Sequence, residues 1–372
     1  MPEPVQHLSR LASLAEVHAC LEAVVQPVPA RQELTWQAIG HVLDRDVGVD
    51  AALPPRPVAV RDGWAVAADR VADAGAYSPV PLEPPPQWVD CGDPLPDGAD
   101  AVLAPDAVRV SGGVAEALAA AAPGDNVLAA GMDAEPKLPL RQGGERLRAS
   151  DNAALAAIGV DRLWTRAPRI RVSSTNPDID DRNDNLGVLI ADLLQSAGAW
   201  SQLSPAPVDL RRVVADDWHD ALVTVGGTGM GRRDATVATI AQIGKVHVHG
   251  MGIRPGESAA IGSVDGRPVL MLPGRLDAAL AAWLLVGRAF YARLAGVDDS
   301  APAVEVTLAR KVVSIIGLAE MIPVGYCAGG VEPLAAGFFP AQALTRAAGW
   351  VYVPPESEGF PPGSTVRMRP LP

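Results

Sequence analysis

The sequence predicts a multidomain chain of the α/β plus β class. From Pro168 onward, apolar runs of strand length alternate with segments of helical spacing, a pattern typical of a parallel sheet with helices on both faces. After Gly296 the apolar residues recur at every second position, with turn residues at intervals of roughly eight to twelve, which indicates a separate β-domain. A length of 372 residues exceeds a single hydrophobic core and agrees with several domains.

The N-terminal part begins with a helix and continues into a β-rich region. Ser13 and Glu16 have capping-box spacing ahead of apolar residues at helical intervals. A second helix is predicted around Trp36 to Leu43. Residues 51–145 are rich in proline, glycine and valine with short apolar runs, which predicts a small β-rich domain. Helical spacing returns at Ser150–Gly159 and ends on a glycine.

The alternating region carries a buried strand, Ala221–Val225, that leads into a glycine-rich loop. The segments on either side of this strand are predicted to be strands and helices, and the apolar residues of each helix lie on one face. The other predicted elements are a strand at Ile170–Ser173, a helix from Leu186 to Ala197, a helix from Ala235 to Ile243, strands near Val246 and Val269, and a long helix from Leu276 to Leu294.

Composition excludes several classes of protein. The formal net charge of −12 argues against a basic surface for nucleic acid. Three scattered cysteines give neither a disulfide framework nor zinc-ligand spacing. The N-terminus lacks the apolar core of a signal peptide, and no stretch is predicted to be long and apolar enough to span a bilayer. The expected location is therefore the cytoplasm, without membrane attachment.

The strongest local signal is the glycine loop, Gly226–Gly231, between the buried strand and the following helix. Glycines let backbone N–H groups approach a ligand closely, and the start of a helix favours an anion. The carboxyl end of a parallel strand is also where open α/β sheets bind ligands. The loop lacks the Lys-Ser/Thr pair of a nucleotide-triphosphate loop. A tight structural turn is the alternative reading of this pattern.

Three further segments could carry chemistry. Asp234 lies where the next helix starts, where a carboxylate either caps the helix or holds Mg²⁺ beside phosphates. Asp62 stands between Arg61 and Gly63 in a proline-rich region, as a presented loop residue or a solvated turn aspartate. Pro273-Gly274-Arg275 follows another strand, and Arg275 either reaches an anion at the sheet edge or is solvated.

Several segments, in chain order, resemble the MoeA/gephyrin-E family, which inserts molybdenum into molybdopterin. They carry Asp62, Asp133, Asp234 and the pair Asp181 and Asn183 at family positions, and Asp106, just after the second segment, falls where the family has a glutamate. The segment GGTGMGRRD is also similar to the loop of MogA-type molybdopterin adenylyltransferases. The segments are ALPPRPVAVRDGWAVAADR, GDPLPDGADAVL, PGDNVLAAGMD, IDDRND, GGTGMGRRD, GMGIRPGESAAIG and PGRLDAAL.

The sequence departs from the family pattern at basic positions. Leu128 and Ala129 stand where the family has two arginines, and Arg254 and Glu257 stand at its two lysine positions. A carboxylate in place of a lysine beside an oxyanion is unfavourable by several kcal/mol at low effective dielectric. Compensation is expected from Arg232, Arg233, Arg254 and Arg275, because guanidinium groups bind oxyanions through two hydrogen bonds.

The resemblance implies a four-part architecture. It consists of a segmented N-terminal linker domain (1–50 and 145–166), a β-rich domain (51–144), a MogA-like doubly wound α/β molybdopterin-binding domain (167–297) and a C-terminal β-barrel-like domain (298–372). It also implies an elongated homodimer.

The implied reaction joins molybdate to adenylylated molybdopterin with release of AMP and requires Mg²⁺. Asp62 and Asp234 are the expected catalytic residues. The expected metal ligands are Asp62, Asp106, Asp133 and Asp234. The expected pterin and phosphate ligands are Gly226, Gly227, Thr228, Gly229, Gly231, Asp181, Asn183, Arg254, Pro273, Gly274 and Arg275.

Two functions stay open on the sequence. One is a molybdenum transferase with a remodelled site, served by a MogA-type adenylyltransferase. The other is a non-catalytic protein that carries molybdopterin or the finished cofactor to an acceptor molybdoenzyme.

Overall fold

The computed structural model describes residues 6–176, 183–205, 209–299 and 302–372. The chain forms two compact units. The larger comprises Met1–Asp44, Arg146–Asn152 and Arg162–Pro372, and the smaller comprises Arg45–Glu145 and Ala153–Asp161. The multidomain fold class is confirmed, and the finer division into four domains stays a prediction.

A six-stranded sheet is the centre of the larger unit. In spatial order its strands are Trp200–Leu203, Arg169–Ser174, Ala221–Val225, Arg267–Leu272, Ala260–Val264 and Lys245–His249. The first four are parallel, whereas Ala260–Val264 runs antiparallel to both of its neighbours. The sheet is therefore mixed, and the prediction of a parallel sheet was wrong at this edge.

A tight hairpin explains the reversed strand. Asp265 and Gly266 separate the strands Ala260–Val264 and Arg267–Leu272, and both have positive φ, at 48° and 78°. Asp-Gly with this backbone is the preferred two-residue hairpin turn, and such a turn can join only antiparallel strands.

Helices cover the sheet and contribute to one large core. Leu14–Val24 has the predicted capping box, with the Ser13 hydroxyl accepting from the Glu16 N–H, and it buries Val17 and Leu21. The helices of the sheet region are Asn185–Ser196, Leu210–Ala215, Thr236–Ile243, Leu276–Ala282 and Arg288–Ala295, the last two joined by a π-helical turn at Trp283–Gly287.

The continuous helix Leu276–Ala295 corrects one expectation. Among the described residues it is long and apolar enough to cross a membrane, so the prediction that no such stretch exists was wrong. Its most apolar window is 83% buried inside the protein. A helix that is apolar on all sides and packed within a large protein is a core helix.

The C-terminal β-domain is barrel-like, as predicted. Ala319–Cys327 pairs with Gly349–Val353 and Gly330–Pro333. A bridge between Leu308 and Val331 joins the end of the strand Val304–Thr307 to Gly330–Pro333, which are far apart in the order of the sheet. A separate apolar core fills this domain. Its remaining strands are Val304–Thr307, Val312–Val313, Gly359–Phe360 and Thr365–Arg369, and its helix is Ala341–Arg346.

The strand Ile253–Arg254 belongs to the sheet of the C-terminal domain. It pairs in parallel with Ala319 and Glu320, although it precedes the hairpin of the central sheet in sequence. This pairing places Arg254 between the central sheet and the sheet of the C-terminal domain.

The predicted helix around Trp36 to Leu43 was wrong. Thr35–Gln37 forms one 3₁₀ turn, Gly40 has a φ of 82°, and Val42–Leu43 is a strand. Val42–Leu43 and Arg31–Leu34 both pair with Arg162–Arg166, so pairing with a strand far along the chain overrides the local helical spacing. The predicted helix after Ser150 is present as Ala149–Ala157.

The smaller unit is β-rich, as predicted. It contains two three-stranded sheets and a two-stranded one, with two small apolar cores. Its strands are Val58–Ala59, Gly63–Val66, Val80–Leu82, Gln87–Val89, Ala101–Leu103, Val108–Ser111, Val114–Ala117 and Val127–Leu128, with 3₁₀ turns at Ala68–Arg70 and Pro105–Ala107.

Candidate functional site

The glycine loop leaves the buried strand Ala221–Val225 in a conformation that requires glycine. Gly226 and Gly227 have φ values of 99° and 66°. A Cβ at Gly227 would lie 2.2 Å from the Thr236 hydroxyl oxygen. The Thr236 N–H donates to the Gly227 carbonyl at 3.0 Å, which joins the loop to the first turn of the next helix. The loop is therefore fixed at both ends.

The loop after the neighbouring parallel strand touches the glycine loop. The Gly226 N–H donates to the Leu272 carbonyl at 2.9 Å. A Cβ at Gly274 would lie only 3.2 Å from the Gly226 Cα, so the two backbones are in close contact. Because neighbouring parallel strands end at the same sheet edge, two predicted binding segments meet there.

Thr175 brings a third strand end to this edge. Its N–H donates to the Val225 carbonyl at 2.9 Å, and its hydroxyl lies 2.8 Å from the Thr236 hydroxyl. Asn176 follows it on the wall of the same cavity. Neither residue belongs to the predicted set.

These strand ends and the C-terminal domain together enclose a cavity of about 600 Å³ within the larger unit. Most of the predicted binding residues line it. The cavity-lining residues are Thr175, Asn176, Gly226, Gly227, Thr228, Gly229, Arg233, Asp234, Arg254, Pro255, Gly256, Glu257, Ser258, Pro273, Gly274, Arg275, Ala278, Gly337 and Phe338.

Several backbone N–H groups of the glycine loop are available to bind a ligand. Among the described residues, the N–H groups of Gly227, Thr228, Gly229 and Met230 make no hydrogen bond to the protein. Successive unbonded N–H groups in a concave turn form an anion-binding nest. The Thr228 side chain is 1% exposed and its hydroxyl lies 3.0 Å from that of Ser258, which fixes the loop against the segment after Arg254.

Asp234 stabilises the glycine loop by a hydrogen bond and is not the N-cap of the helix Thr236–Ile243. Its Oδ2 accepts from the Gly231 N–H at 2.8 Å, and its own N–H donates to the Gly231 carbonyl at 3.0 Å. The helix begins with Ala235 as its N-cap. Asp234 is half-buried on the cavity wall, and within the described chain its Oδ1 has no hydrogen-bond partner.

Two arginines of the cavity are held by buried acids. Arg275 donates through Nε and Nη2 to Asp277, at 3.1 and 2.7 Å, and Asp277 is 3% exposed. Its guanidinium also lies 4.6 Å from the centre of the Phe338 ring. The hydrogen bond to Asp277 raises the pKa of Arg275. Arg254 lies 3.4 Å from Glu320, which is 1% exposed.

Glu257 faces this cationic group. It lines the cavity, and its carboxylate accepts from the Gly256 N–H at 3.0 Å. The charge of Glu257 adds to the effect of Asp277 on the pKa of Arg275, which reflects their proximity. The lining side chains thus carry three arginines, Arg233 among them, against two acids.

Other predicted residues lie elsewhere. Gly231 and Asn183 are not among the residues that line the cavity, and Asp181 lies outside the described residues. Gly231 instead takes part through its bond to Asp234. The assignment of these side chains to a ligand stays a prediction.

Three predicted metal ligands belong to the smaller unit. Asp62, Asp106 and Asp133 are all exposed, and Asp62 Oδ1 accepts from the Cys91 N–H at 2.8 Å. Gly63 is required beside Asp62, because a Cβ there would lie 2.0 Å from the Leu103 carbonyl oxygen. Across the described ranges, no three His, Cys, Asp or Glu side chains group as a metal site. The metal assignment stays a prediction.

One acid of the cavity suits a magnesium ion bound together with a phosphate ligand. Mg²⁺ uses one or two carboxylates, phosphate oxygens and water. Asp234, with its unbonded Oδ1, and Glu257 are the two carboxylates on the wall. Asp234, an expected metal ligand, would supply one carboxylate of that set, and a bound phosphate and water would supply the rest.

Sequence reasoning missed the contribution of the C-terminal domain. Gly337 and Phe338 line the cavity some 60 residues beyond Arg275. A Cβ at Gly337 would lie 2.4 Å from an Arg254 nitrogen, so this glycine leaves room for the guanidinium. Nothing in the local pattern around these two residues marks them as part of a site.

Comparison with known proteins agrees with this geometry. The MoeA N-terminal region (domains I and II) matches residues 8–159, and the probable molybdopterin-binding domain matches residues 173–293. The chain belongs to the MoeA-like family. Both family regions occur here in the order of the resembling segments, and the glycine loop and Pro273–Arg275 fall within the second.

Two relatives and a solved structure match three quarters of the chain or more. A protein of Methanocaldococcus jannaschii named for molybdopterin biosynthesis is 24% identical over 364 residues, 89% of each chain. A molybdopterin molybdenumtransferase of Nostoc sp. is 22% identical over 75% of this chain and 73% of its own. The molybdopterin biosynthesis MoeA protein of Pyrococcus horikosii has a TM-score of 0.74 at 23% identity, covering 98% of this chain and all of its own. That similarity establishes the fold.

Proposed function

We propose that this MoeA-like chain binds adenylylated molybdopterin in the 600 Å³ cavity and inserts molybdate into it, with release of AMP. Molybdenum cofactor biosynthesis is the function of the family. The observation that carries the proposal is the glycine loop, whose unbonded N–H groups lie at the sheet edge beside arginines of the cavity and suit an anion.

The arrangement fits a diphosphate ligand. Backbone N–H groups of the glycine loop would bind one phosphate, and the N–H groups of Arg254 and Arg275 that are not bonded to their acids would bind further oxyanions in the same cavity. Asp277 holds Arg275 in a fixed orientation, so less side-chain entropy is lost when the ligand binds.

The chemistry needs little from the protein beyond positioning. Water would break one P–O bond of the diphosphate and release AMP. The two dithiolene thiols would replace one oxygen of molybdate, which leaves as water, so the oxidation state of molybdenum does not change. The soft sulfur ligands belong to the pterin, and the protein therefore needs no cysteine. Mg²⁺, held through Asp234, would neutralise the phosphate charge. Asp62 is the second proposed catalytic residue.

A second candidate function is a carrier of molybdopterin or of the finished cofactor. Glu257 favours it, because a carboxylate stands on the cavity wall where the family has a lysine. Arg254 and Arg275 are each already paired with a buried acid, which reduces their net charge toward a ligand. Leu128 and Ala129, in place of two arginines, remove further positive charge.

One experiment separates the two functions. The purified chain is incubated with adenylylated molybdopterin, Mg²⁺ and increasing molybdate, and both bound pterin and released AMP are measured. Molybdate-dependent AMP release supports the transferase. Pterin binding without AMP at any molybdate or Mg²⁺ concentration would leave the carrier, and failure to bind pterin would exclude both.

The remaining parts of the proposal concern partners and location. The chain acts as a homodimer in the cytoplasm. It receives its substrate from a MogA-type adenylyltransferase and passes its product to an acceptor molybdoenzyme. Neither nucleic acid nor a membrane is a partner.

A further inference from the structure

Gln6 contacts the glycine loop from a position more than 220 residues away in the sequence. Its Nε2 donates to the Gly227 carbonyl at 2.9 Å and to the Gly229 carbonyl at 2.6 Å. Its Oε1 accepts from the Ala238 N–H at 3.2 Å. The residue is 6% exposed, and it is not among the residues that line the cavity.

We infer that Gln6 is a positioning residue that holds the glycine loop in its anion-binding shape; this inference rests on the proposed function. The N–H of each trans peptide points opposite to its C=O. Since the carbonyls of Gly227 and Gly229 point at Gln6, the N–H groups of Thr228 and Met230 point away from it. These are two of the four unbonded donors of the loop.

Gln6 also supplies a capping hydrogen bond to the helix that follows the glycine loop. The helix Thr236–Ile243 has Ala235 at its N-cap and no side-chain cap hydrogen bond from that residue. The first N–H groups of a helix have no partner within the helix and are usually bonded by a cap side chain. Gln6 Oε1 bonds the N–H of Ala238, in the first turn, and so acts as the cap from another part of the chain.

Backbone pairing fixes the segment that carries Gln6. The Ala12 N–H donates to the Gly250 carbonyl at 2.9 Å, and the Gly252 N–H donates to the Ala12 carbonyl at 2.6 Å. Just before Gly250, the His249 ring lies 2.9 Å from the Thr228 carbonyl. The N-terminal segment and the glycine loop are thus tied to the same stretch of chain.

The chemistry of the contact selects a glutamine. The contact requires two N–H donors for the carbonyls of Gly227 and Gly229 and one acceptor for the Ala238 N–H. A primary amide provides the donors and the acceptor in one group. Glutamate keeps the acceptor but places a carboxylate against two carbonyl oxygens. The family region that matches this chain begins at residue 8, two residues after Gln6. Gln6 itself therefore lies outside the regions that the family match covers, whereas the residues that it bonds lie inside the second region.

The test uses the full chain with inorganic pyrophosphate as the probe. The variants are Gln6→Ala, which removes all three bonds, and Gln6→Glu, which keeps only the acceptor. His7→Ala is the matched control, because His7 is the exposed neighbour. Isothermal calorimetry measures pyrophosphate affinity, hydrogen–deuterium exchange follows the backbone of residues 226–240, and thermal unfolding reports stability.

We expect both Gln6 variants to bind pyrophosphate on the order of tenfold more weakly, since each loses two hydrogen bonds to the loop. Exchange in residues 226–240 should be faster, the unfolding midpoint should move little, and His7→Ala should match the unmodified chain. Unchanged pyrophosphate affinity in both Gln6 variants would overturn the inference, whatever happens to stability.

The outcomes distinguish the two proposals. If the unmodified chain binds no pyrophosphate, the anion site of the proposed function fails. In that case faster exchange of residues 226–240 in Gln6→Ala, and not in His7→Ala, would still support the positioning of the loop by Gln6. Unchanged exchange would overturn it.

Discussion

A Cβ added to Gly274 would lie 3.2 Å from the Cα of Gly226, so the loops that end two neighbouring parallel strands are in backbone contact. The first loop offers unbonded N–H groups and the second carries Arg275. Their spacing thus sets the distance between the two kinds of anion-binding group.

Gly274→Ala should weaken pyrophosphate binding. The added methyl group must push the loops apart by a few tenths of an ångström, which we expect to lower affinity by about tenfold and stability by about 1 kcal/mol. Gly75→Ala is the control, because a Cβ there meets nothing within 4 Å. Calorimetry and urea unfolding measure both effects. Equal pyrophosphate affinity for the Gly274 variant and the unmodified chain would contradict the role of the contact.

Glu257→Lys should strengthen anion binding. The change replaces a carboxylate on the cavity wall by the cation that the family carries there, so pyrophosphate affinity should rise by about tenfold at low salt and by less at high salt. Glu305→Lys makes the same change in net charge at an exposed residue of the C-terminal domain and should have no such effect. If the two variants bind pyrophosphate equally, the charge of Glu257 does not affect anion binding in the cavity.

Asp62→Asn tests catalysis apart from binding. It keeps the size of the side chain and removes its charge, so AMP release should fall by about two orders of magnitude, the range of a lost catalytic group. Pterin binding should change little. Asp73→Asn, at another exposed residue of the smaller unit, should retain full AMP release. Full activity in the Asp62 variant would remove this residue from the mechanism.

His219 should make the protein less stable in acid. Burial and the charges of Arg267 and Arg171 lower its pKa from 6.5 to about 4, and its Nδ1 has no partner among the described residues. Above pH 6.5 the ring is neutral whether the chain is folded or unfolded. As the pH falls from 6.5 to 4, only the unfolded chain gains the proton, so the free energy of unfolding drops by on the order of 3 kcal/mol.

Urea unfolding at neutral pH and near pH 4 measures this effect. In His219→Gln the drop should be smaller, because the titrating group is gone. The control is His7→Gln, at an exposed position, which should keep the full drop. An identical drop in all three proteins would assign the acid sensitivity to other groups.

The proposed homodimer has a direct test. Light scattering of the purified chain at micromolar concentration should give twice the 38.6 kDa of one chain. A mass of one chain over that concentration range would exclude the dimer, without bearing on whether the cavity binds a pterin.

Substitution of Gly227 is a poor probe of binding. Its positive φ and the nearby Thr236 hydroxyl mean that any side chain would disturb the fold.

Local patterns in the sequence predicted most elements and the centre of the site. The capping box at Ser13, the buried strand Ala221–Val225 and the glycine loop each depend on residues close in the chain, where spacing and backbone preference act directly. Two loops were expected at one sheet edge because parallel strands end together. The family resemblance added the order of the domains.

Contacts between distant segments set the rest. The stretch after Trp36 was predicted to be helical but forms a turn and a strand, because Val42–Leu43 hydrogen-bonds to the distant strand Arg162–Arg166. Phe338 reaches the cavity, Glu320 holds Arg254 and Gln6 bonds the glycine loop through pairings that span tens to hundreds of residues. No periodicity encodes such contacts, because each depends on the free energy of packing the whole unit and not on the preference of a local segment.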